Sequence, residues 1–352
     1  MVSKPKTVYL LSHEQPPMLG GAGVVAQTIF TGLRALGLNI TKSVAATHFA
    51  SPFARVAGFF FAFRALLSDV IIINDLYYKK LWLTLFRGYC CSRCIIYLHG
   101  SEPEFLIQDA RYRDTFLNMC IKAQKVIAVS DYMKQKLLDS IADEKIKTLV
   151  AQNTVVIRNG IDTECFQLQP EVEVVRPLTL VTASRIVKEK GYIEVAQQIV
   201  KIREILDIPI RWNIVGDGPF RAELESYIKT LGLSEQVHFL GRLNHRQLAT
   251  TYNQADIFVL LSNLQESLGL VFMEASSCGC WSIGYNRFGA KKAIIAGQTG
   301  NFIDSPEALP NAIANYYHDS TVTRTQISVC ARSHFSAVHA TTQLKNTILG
   351  IE

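Results

Sequence analysis

Short runs of consecutive apolar residues recur along the whole chain and alternate with longer stretches of mixed character. Runs of this length that are rich in β-branched residues are typical of strands buried on both faces of a sheet. The stretches between them are long enough for crossover helices, so the pattern predicts an α/β fold built on doubly wound parallel sheets. The clearest runs are Thr7–Leu11, Val70–Ile73, Cys94–Leu98, Leu178–Ala183 and Trp281–Tyr285.

The pattern is interrupted at residues 163–177, where glutamines, acids and prolines replace the apolar run. A chain of 352 residues also favours two domains of ~100–200 residues each. We place the interdomain linker at this interruption. The expected parts are an amino-terminal domain at 1–164, a second domain at 165–330 and a carboxyl-terminal helix at 331–352.

The stretch 266–275 follows the apolar run 256–262 and opens a helix that is expected to end at Cys278-Gly279. Ser267 and Gly269 stand where unpaired N–H groups and the positive end of the helix dipole favour an anion. Glu266 and Glu274 flank this point. Because acids disfavour a phosphate, we interpret them as acceptors for sugar hydroxyls. The alternative is a helix capped by Ser267 with a solvated Glu274.

A cationic loop follows the predicted strand Leu178–Ala183 and carries Arg185 and Lys190. Arg engages phosphate oxygens in pairs and Lys supplies a point charge, so the two suit a diphosphate. A solvated loop is the alternative. Gly216 begins a tight turn after the next strand, where a ligand can approach the backbone.

The first domain has two candidate features. A loop with Gly20, Gly21 and Gly23 follows the first strand, but it matches neither the dinucleotide nor the ATP-binding pattern. His99 follows the strand Cys94–Leu98 at the ligand edge of a parallel sheet. It is a candidate substrate contact, with a histidine satisfied by nearby backbone as the alternative. Asn74-Asp75 occupies a comparable edge with a weaker signal.

The net charge of +6 lies entirely in residues 1–164, which hold 19 Lys and Arg against 13 Asp and Glu. A basic face would favour a membrane surface, an acidic glycan or nucleic acid, whereas scattered charges would favour none of them. Residues 79–97 are basic, aromatic and amphipathic, which suits either a membrane surface or a core helix followed by a strand. Residues 56–73 are interrupted by Arg64 and Asp69, so a helix and then a strand are expected instead of a membrane span.

The eight cysteines follow no recognisable signal peptide, because the apolar run after Lys6 is too short for one. Reduced thiols are therefore expected. Cys91 and Cys94 have metal-ligand spacing, but no second pair stands at the distance that a zinc site requires. We expect no zinc.

Several of these pieces resemble one family, and the resemblance covers most of the chain. Together they look like a retaining glycosyltransferase of the GT-B fold, in glycosyltransferase family 4 (group 1). The resemblance implies two Rossmann-like domains that face a cleft, with the carboxyl-terminal helix crossing back to the first. The motifs are Gly20-Gly21-x-Gly23, His99-Gly100, Arg158-Asn-Gly-Ile-Asp162, Arg185…Lys190-Gly191, Gly216-Asp-Gly-Pro219, Leu240-Gly-Arg242-Leu243 and Glu266-x7-Glu274.

The resemblance also implies roles for individual residues. Arg185 and Lys190 would neutralise the donor diphosphate, and Glu274 would bind the ribose. Glu266 and the Ser267–Leu270 backbone, with Leu268 and Gly269, would hold the donor sugar and phosphate. The base would meet Arg242, Leu243 and Gly216, the phosphates Gly21, and the sugar His99.

The resemblance has departures. Where the family usually has Gly-Gly, a glutamate and a proline, this chain has Gly289-Ala290, Ala293 and Trp281. No Asp-x-Asp pair occurs, so we expect no metal or other cofactor, and preorganised cations would stabilise the leaving group. The implied chemistry is same-face attack with retention.

The expected function is transfer of a hexose from a UDP- or GDP-sugar to a glycan or glycolipid in bacterial surface polysaccharide or lipopolysaccharide synthesis. The expected partners are the nucleotide-sugar, the acceptor and an anionic membrane met by the amino-terminal half, and nucleic acid is not among them. The expected location is cytoplasmic, peripheral at the inner face of the membrane. The alternatives are a nucleotide-sugar epimerase, a phosphorylase or a non-catalytic nucleotide-sugar-binding scaffold.

Overall fold

The computed structural model describes residues 6–14, 21–43, 52–87, 89–170 and 177–351, with the backbone alone at 52–55. The chain forms two compact units. The second comprises Ile161–Ser336, and the first comprises the residues before it together with those from Ala337 onward. Part of the expected linker therefore lies inside the second unit, where Phe166 is buried in the core.

The first unit is built on a six-stranded parallel sheet with strand order β2-β1-β3-β4-β5-β6. Its central strands are apolar throughout because helices cover both faces of the sheet. The strands are β1 (Thr7–Leu11), β2 (Asn39–Lys42), β3 (Val70–Ile73), β4 (Cys94–Leu98), β5 (Lys125–Ala128) and β6 (Thr154–Val156). The helices are α1 (Gly21–Ala35), α2 (Pro52–Ala65), α3 (Leu76–Phe86), α4 (Arg113–Lys122), α5 (Asp131–Asp139) and α6 (Glu144–Asn153).

The second unit repeats the plan with strand order β12-β11-β10-β7-β8-β9, again all parallel. Successive side chains of a strand point to opposite faces. Accordingly, Ile257 and Val259 join one apolar core, while Phe258 and Leu260 join the other. The strands are β7 (Leu178–Ala183), β8 (Ile210–Val215), β9 (Val237–Gly241), β10 (Ile257–Leu260), β11 (Trp281–Tyr285) and β12 (Gly300–Ile303). The helices are α7 (Tyr192–Leu206), α8 (Arg221–Thr230), α9 (His245–Asn253), α10 (Leu270–Ser277), α11 (Leu309–Asp319) and α12 (Arg324–Phe335).

The last helix, α13 (Ala337–Leu349), belongs to the first unit. It packs against α1 where Gly32 leaves room, since a Cβ at that glycine would stand 2.4 Å from the Thr341 methyl. Lys345 Nζ donates to Leu36 O at 2.9 Å. Lys6 Nζ donates to Ile348 O at 2.8 Å.

The structure confirms the predicted α/β class with two doubly wound parallel sheets. It adds α6 and β12, which were not predicted from the sequence. The segment 56–73 is a helix followed by a strand, as predicted. Among the described residues, no helix combines the length and apolar character needed to cross a membrane.

Residues 79–97 include a core-facing helix followed by a strand, which is the second of the two interpretations of this segment. Lys79 and Trp82 are 0% exposed and Leu83 is 2% exposed. The segment comprises most of α3 and all of β4. One side of α3 packs inward and Lys79 has a buried partner, whereas Arg87 and Tyr89 just after the end of the helix are exposed.

Candidate active site

In the second unit, Lys190 and Glu266 form an ion pair at the carboxyl ends of the neighbouring strands β7 and β10. Lys190 lies in a 3₁₀ turn after β7, and Glu266 lies in the loop after β10. The Ser262 hydroxyl donates to Glu266 Oε1 at 2.8 Å. The structure thus joins two predicted site residues that are far apart in sequence, and it adds Ser262, whose signal was its position at a strand end.

Backbone contacts hold this pair in place. The Asn263 N–H donates to Glu189 O at 2.7 Å, which ties the two loops together. Gly191 follows Lys190 with φ +76°, and a Cβ there would stand 2.1 Å from Leu261 O. Only glycine permits this approach of the turn to the end of β10.

The helix α10 begins at Leu270 with Gly269 at its N-cap, and no side chain caps it. Ser267 therefore does not occupy the N-cap position. An uncapped helix start leaves the first N–H groups available to an anion. The preceding loop is fixed by Gly289, whose Cβ would lie 2.0 Å from Ser267 O, and Leu268 is buried beneath it.

Glu274 is 5% exposed, so the interpretation of a solvated side chain is also wrong. Burial raises its pKa to about 7. Its carboxylate makes no hydrogen bond or ion pair within the part of the chain that the structure describes. The nearby Tyr252 hydroxyl is likewise buried without a partner. Unmatched buried acceptors of this kind are costly unless a ligand supplies hydroxyl donors.

Arg185 and Arg242 are both exposed at the same edge of the second sheet. Neither guanidinium forms an ion pair with any described residue, so the structure does not join them to the Lys190–Glu266 pair. Leu243 is half-buried against the core. Gly216 has φ +126°, and a Cβ there would lie 2.0 Å from Ser184 O, which by itself requires glycine.

In the first unit, the His99 ring is held by Asn74, with 2.9 Å between Nε2 and Oδ1. The Asn74 amide nitrogen donates to Ser12 Oγ at 3.1 Å and to Ala22 O at 2.9 Å. A backbone carbonyl only accepts, so Asn74 must turn its nitrogen to Ala22 and its oxygen to His99. His99 Nε2 therefore carries the proton.

The other ring nitrogen of His99, Nδ1, makes no hydrogen bond to a described side chain, and the Asn74 backbone also lies within hydrogen-bond range of the ring. Burial lowers the pKa of His99 to about 4, and the nearby Lys79 charge contributes to the shift. At neutral pH the ring is uncharged, and Nδ1 is a lone-pair acceptor. The site can therefore receive a hydrogen bond from a hydroxyl, and His99 is held by a side chain rather than satisfied by backbone alone.

A buried ion pair that sequence reasoning missed lies beside His99 and holds its backbone. Lys79 Nζ lies 2.8 Å from Glu102 Oε1, with the two side chains 0% and 3% exposed. Glu102 accepts the N–H groups of His99 at 3.1 Å and Gly100 at 2.8 Å. Burial alone would raise the pKa of Glu102, but Lys79 and these hydrogen bonds outweigh it and lower the pKa to about 2.

Asp75 and Gly21 are two further candidates in the first unit, and their surroundings differ. Asp75 caps α3 through the Tyr78 N–H at 3.0 Å and accepts from Ser12 Oγ at 3.2 Å, which are structural contacts. Gly21 is the exposed first residue of α1. Gly20 lies outside the described residues.

No group of three or more His, Cys, Asp or Glu side chains in the described ranges could hold a metal ion. Cys91 and Cys94 are buried free thiols. Burial raises the pKa of the Cys91 thiol to about 11, so it is protonated at neutral pH.

Residues 167–334 match the family model described as glycosyl transferases group 1. The second unit belongs to this family. The chain is similar to a GDP-mannose-dependent phosphatidylinositol monomannoside mannosyltransferase of Mycolicibacterium smegmatis, 27% identical over 178 residues that cover 46% of each chain. An N-acetyl-α-D-glucosaminyl L-malate synthase of Bacillus anthracis is 33% identical over 58% of this chain and 52% of its own. The matched region spans about half the length of these relatives.

Solved structures show that the group 1 unit is part of a GT-B fold. Anabaena HepE in complex with UDP-glucose superposes with a TM-score of 0.76 over 98% of this chain and 100% of its own, at 20% identity. WaaG, a glycosyltransferase involved in lipopolysaccharide biosynthesis, gives a TM-score of 0.68 over 97% and 100%, at 14% identity. At these identities the likeness establishes the fold, and the activity has to be argued from the site.

Proposed function

We propose that this protein is a metal-independent, retaining glycosyltransferase that moves a hexose from a UDP- or GDP-sugar to a glycan or glycolipid acceptor. The observation that carries the proposal is the Lys190–Glu266 ion pair beside the uncapped start of α10, in a unit of the group 1 family. A cation, a hydroxyl acceptor and free helix N–H groups are together what a sugar diphosphate requires.

The proposed donor contacts follow the charges of the second unit. Lys190 and the unpaired Arg185 neutralise the diphosphate, assisted by the N–H groups of Ser267–Leu270. Glu274 accepts the ribose hydroxyls, which would satisfy its buried and otherwise unmatched carboxylate. The backbone at Gly216, Arg242 and Leu243 receives the base.

Two residues of the first unit complete the assignment. His99 Nδ1 accepts a hydroxyl of the donor sugar, in keeping with its neutral ring and its Nε2–H held by Asn74. Gly21, the exposed start of α1, receives a phosphate oxygen at its backbone N–H. Glu266 holds both Lys190 and a sugar hydroxyl.

The proposed reaction proceeds on one face of the sugar. The bond between the anomeric carbon and the diphosphate oxygen breaks, and a bond from the acceptor oxygen forms on the same face. The departing phosphate oxygen takes the acceptor's proton. Lys190, Arg185 and the helix start stabilise the charge that develops on the diphosphate, which is the usual task of preorganised electrostatics.

The relatives suggest the biological setting. One relative's name specifies GDP-mannose and a phosphatidylinositol mannoside acceptor, whereas HepE is solved with UDP-glucose. WaaB is a lipopolysaccharide outer core galactosyltransferase, and WaaG is a glycosyltransferase involved in lipopolysaccharide biosynthesis. We place this protein in bacterial surface polysaccharide or lipopolysaccharide synthesis, in the cytoplasm and peripheral to the inner face of the membrane.

Thermal shift against UDP-, GDP- and ADP-sugars in a metal chelator tests the donor, because a ligand that binds only the folded state raises the melting temperature. The donor that shifts the protein is then used in a transfer assay with Glu266→Ala. We expect the variant to lose transfer. Free epimerised sugar nucleotide, or reversible release of sugar phosphate, would overturn the transferase assignment. A variant that keeps the cellular role of the wild type would indicate a scaffold instead.

A further inference from the structure

The helix α2 buries small residues and exposes large apolar ones, which is the reverse of an ordinary surface helix. Its packing face carries the small buried residues Gly58, Ala62 and Ala65. Its opposite face exposes an apolar stripe at helical spacing. The outward face, as we call it, comprises Val56, Phe59, Phe60 and Phe63, and Leu67 follows just beyond the helix.

The exposure of this face is large. Phe60 is 58% exposed, Phe63 is 55% exposed and Leu67 is 86% exposed. A groove of about 630 Å³ opens beside it, between α2 and the strands β1 and β2. Single exposed apolar residues are ordinary, but a contiguous aromatic stripe of this kind marks an interaction surface.

The charges that border the outward face are positive. Arg64 is exposed and lies about one helical turn after Phe60, at i+4. Arg87 is exposed directly after Phe86, whose ring contacts that of Phe63 at 5.5 Å. The acid at this end of α2 is Asp69, and it is engaged by the Thr7 N–H and hydroxyl at 2.8 and 2.7 Å.

Aromatic side chains bordered by unpaired cations match the chemistry of a bilayer surface, where the rings enter the acyl boundary and the cations meet phosphates. A second copy of the chain fits less well. A twofold contact would place the same patch on both sides and bring the arginines of one copy against those of the other.

We propose that the outward face of α2 inserts into the surface of an anionic bilayer, with Arg64 and Arg87 at the lipid phosphates. The inference rests on the proposed function, because a glycolipid acceptor lies in a membrane. It moves the main apolar contact from the segment 79–97 to α2 and keeps only the exposed Arg87 of that segment.

Co-sedimentation with vesicles tests this directly. The probes are vesicles of phosphatidylcholine alone and of phosphatidylcholine with phosphatidylglycerol at 3:1, at low and high salt. Wild-type protein is expected to bind the anionic vesicles at low salt. Phe60→Ser with Phe63→Ser is expected to weaken binding by at least about tenfold, from the apolar area lost. Arg64→Ala is expected to weaken it about fivefold on anionic vesicles alone.

The matched control is Ile205→Ser with Tyr317→Ser, which removes two similarly exposed apolar side chains from the second unit. It should bind vesicles as the wild type does. The melting-temperature shift with the nucleotide-sugar verifies that each variant is folded, and its failure in every protein would count against the proposed donor instead. Wild-type protein that ignores anionic vesicles overturns the docking proposal. So does a wild-type dimer that the double phenylalanine variant converts to a monomer.

Discussion

The amide oxygen of Asn74 lies 2.9 Å from Nε2 of His99, and this contact decides which side of the imidazole can act on a ligand. The amide nitrogen of Asn74 is committed to the Ala22 carbonyl at 2.9 Å, so the amide cannot turn over. His99 thus carries its proton on Nε2 and its lone pair on Nδ1, while burial keeps the ring neutral by lowering its pKa. Asn74, which is only a weak candidate in the sequence, therefore determines which ring nitrogen of His99 carries the proton.

Asn74→Ala removes the acceptor for Nε2–H and should let the two neutral tautomers of His99 mix. We expect kcat/KM to fall about tenfold, in line with one lost hydrogen bond. The ¹⁵N chemical shifts of the His99 ring measure the tautomer. Asn74→Asp keeps an acceptor and should keep the tautomer while raising the pKa of His99. An unchanged Nε2–H tautomer in Asn74→Ala would contradict the assignment.

Lys79→Met should destabilise the protein because it leaves the Glu102 carboxylate buried without its cation. A loss of about 3–5 kcal/mol is typical when one member of a buried pair is removed. The denaturant midpoint of the first unit measures it. Lys79→Met combined with Glu102→Gln should recover part of the loss, because no buried charge then remains. A single variant as stable as the wild type would show that the pair is not a folding determinant.

Glu274 should make stability depend on pH in the direction opposite to an ion-paired acid. Its pKa is about 7 in the folded protein against an ordinary 4.5, so the folded state binds the proton more tightly. The contribution is fully present below pH 4.5 and is lost as the pH rises through 7. The free energy of unfolding of Glu274→Gln, relative to that of the wild type, should therefore rise with pH over this range. The increase should reach about 3 kcal/mol at pH 8.

The same substitution should weaken nucleotide-sugar binding about tenfold, because a neutral amide is a poorer acceptor than a carboxylate. Melting curves at pH 4.5 and 8 and calorimetric titration measure the two effects. Glu204→Gln, at an exposed position, is the control and should change neither. Equal stability of Glu274→Gln and wild type at both pH values would refute the role of burial.

Lys190→Ala should lower kcat by a factor of about 10²–10³, the usual effect of removing one preorganised group that stabilises developing charge. Lys188→Ala is the matched control, because Lys188 is an exposed cation in the same turn. It should leave kcat unchanged. If both variants lose activity equally, the general positive potential of the turn is responsible, and the specific role of Lys190 is refuted.

Gly191→Ala tests the backbone that carries Lys190. Both Gly191 and Gly232 have positive φ, +76° and +68°, but a Cβ at Gly232 meets nothing within 4 Å. Gly232→Ala should cost about 1 kcal/mol of conformational strain. Gly191→Ala should cost at least about 2 kcal/mol more, since it also collides with Leu261 O. Equal losses in urea unfolding would mean that the close approach is unimportant.

The sequence by itself determined most of the strands and the edge of the second sheet at which the candidate site lies. β1, β3, β4, β7 and β11 are each bounded as the apolar runs predict, because burial on both faces leaves a continuous local signal. The start of α10 near Leu270 follows from the apolar run 256–262 and from the glycine before the helix. By contrast, α6 has the sequence EKIKTLVAQN, in which Ile146, Leu149 and Val150 form a short apolar stripe, and this helix was not among those predicted from the sequence.

Only the tertiary structure decided which side chains meet and which faces remain open. The partners Lys190 and Glu266 are 76 residues apart, and nothing local in the sequence specifies their pairing. Lys79 has the composition of a surface residue but lies buried against Glu102. Phe59, Phe60 and Phe63 of α2 are residues typical of a core, but they face solvent. Periodicity identifies a residue's side of a helix, but the direction in which that side points depends on what the rest of the chain packs against it.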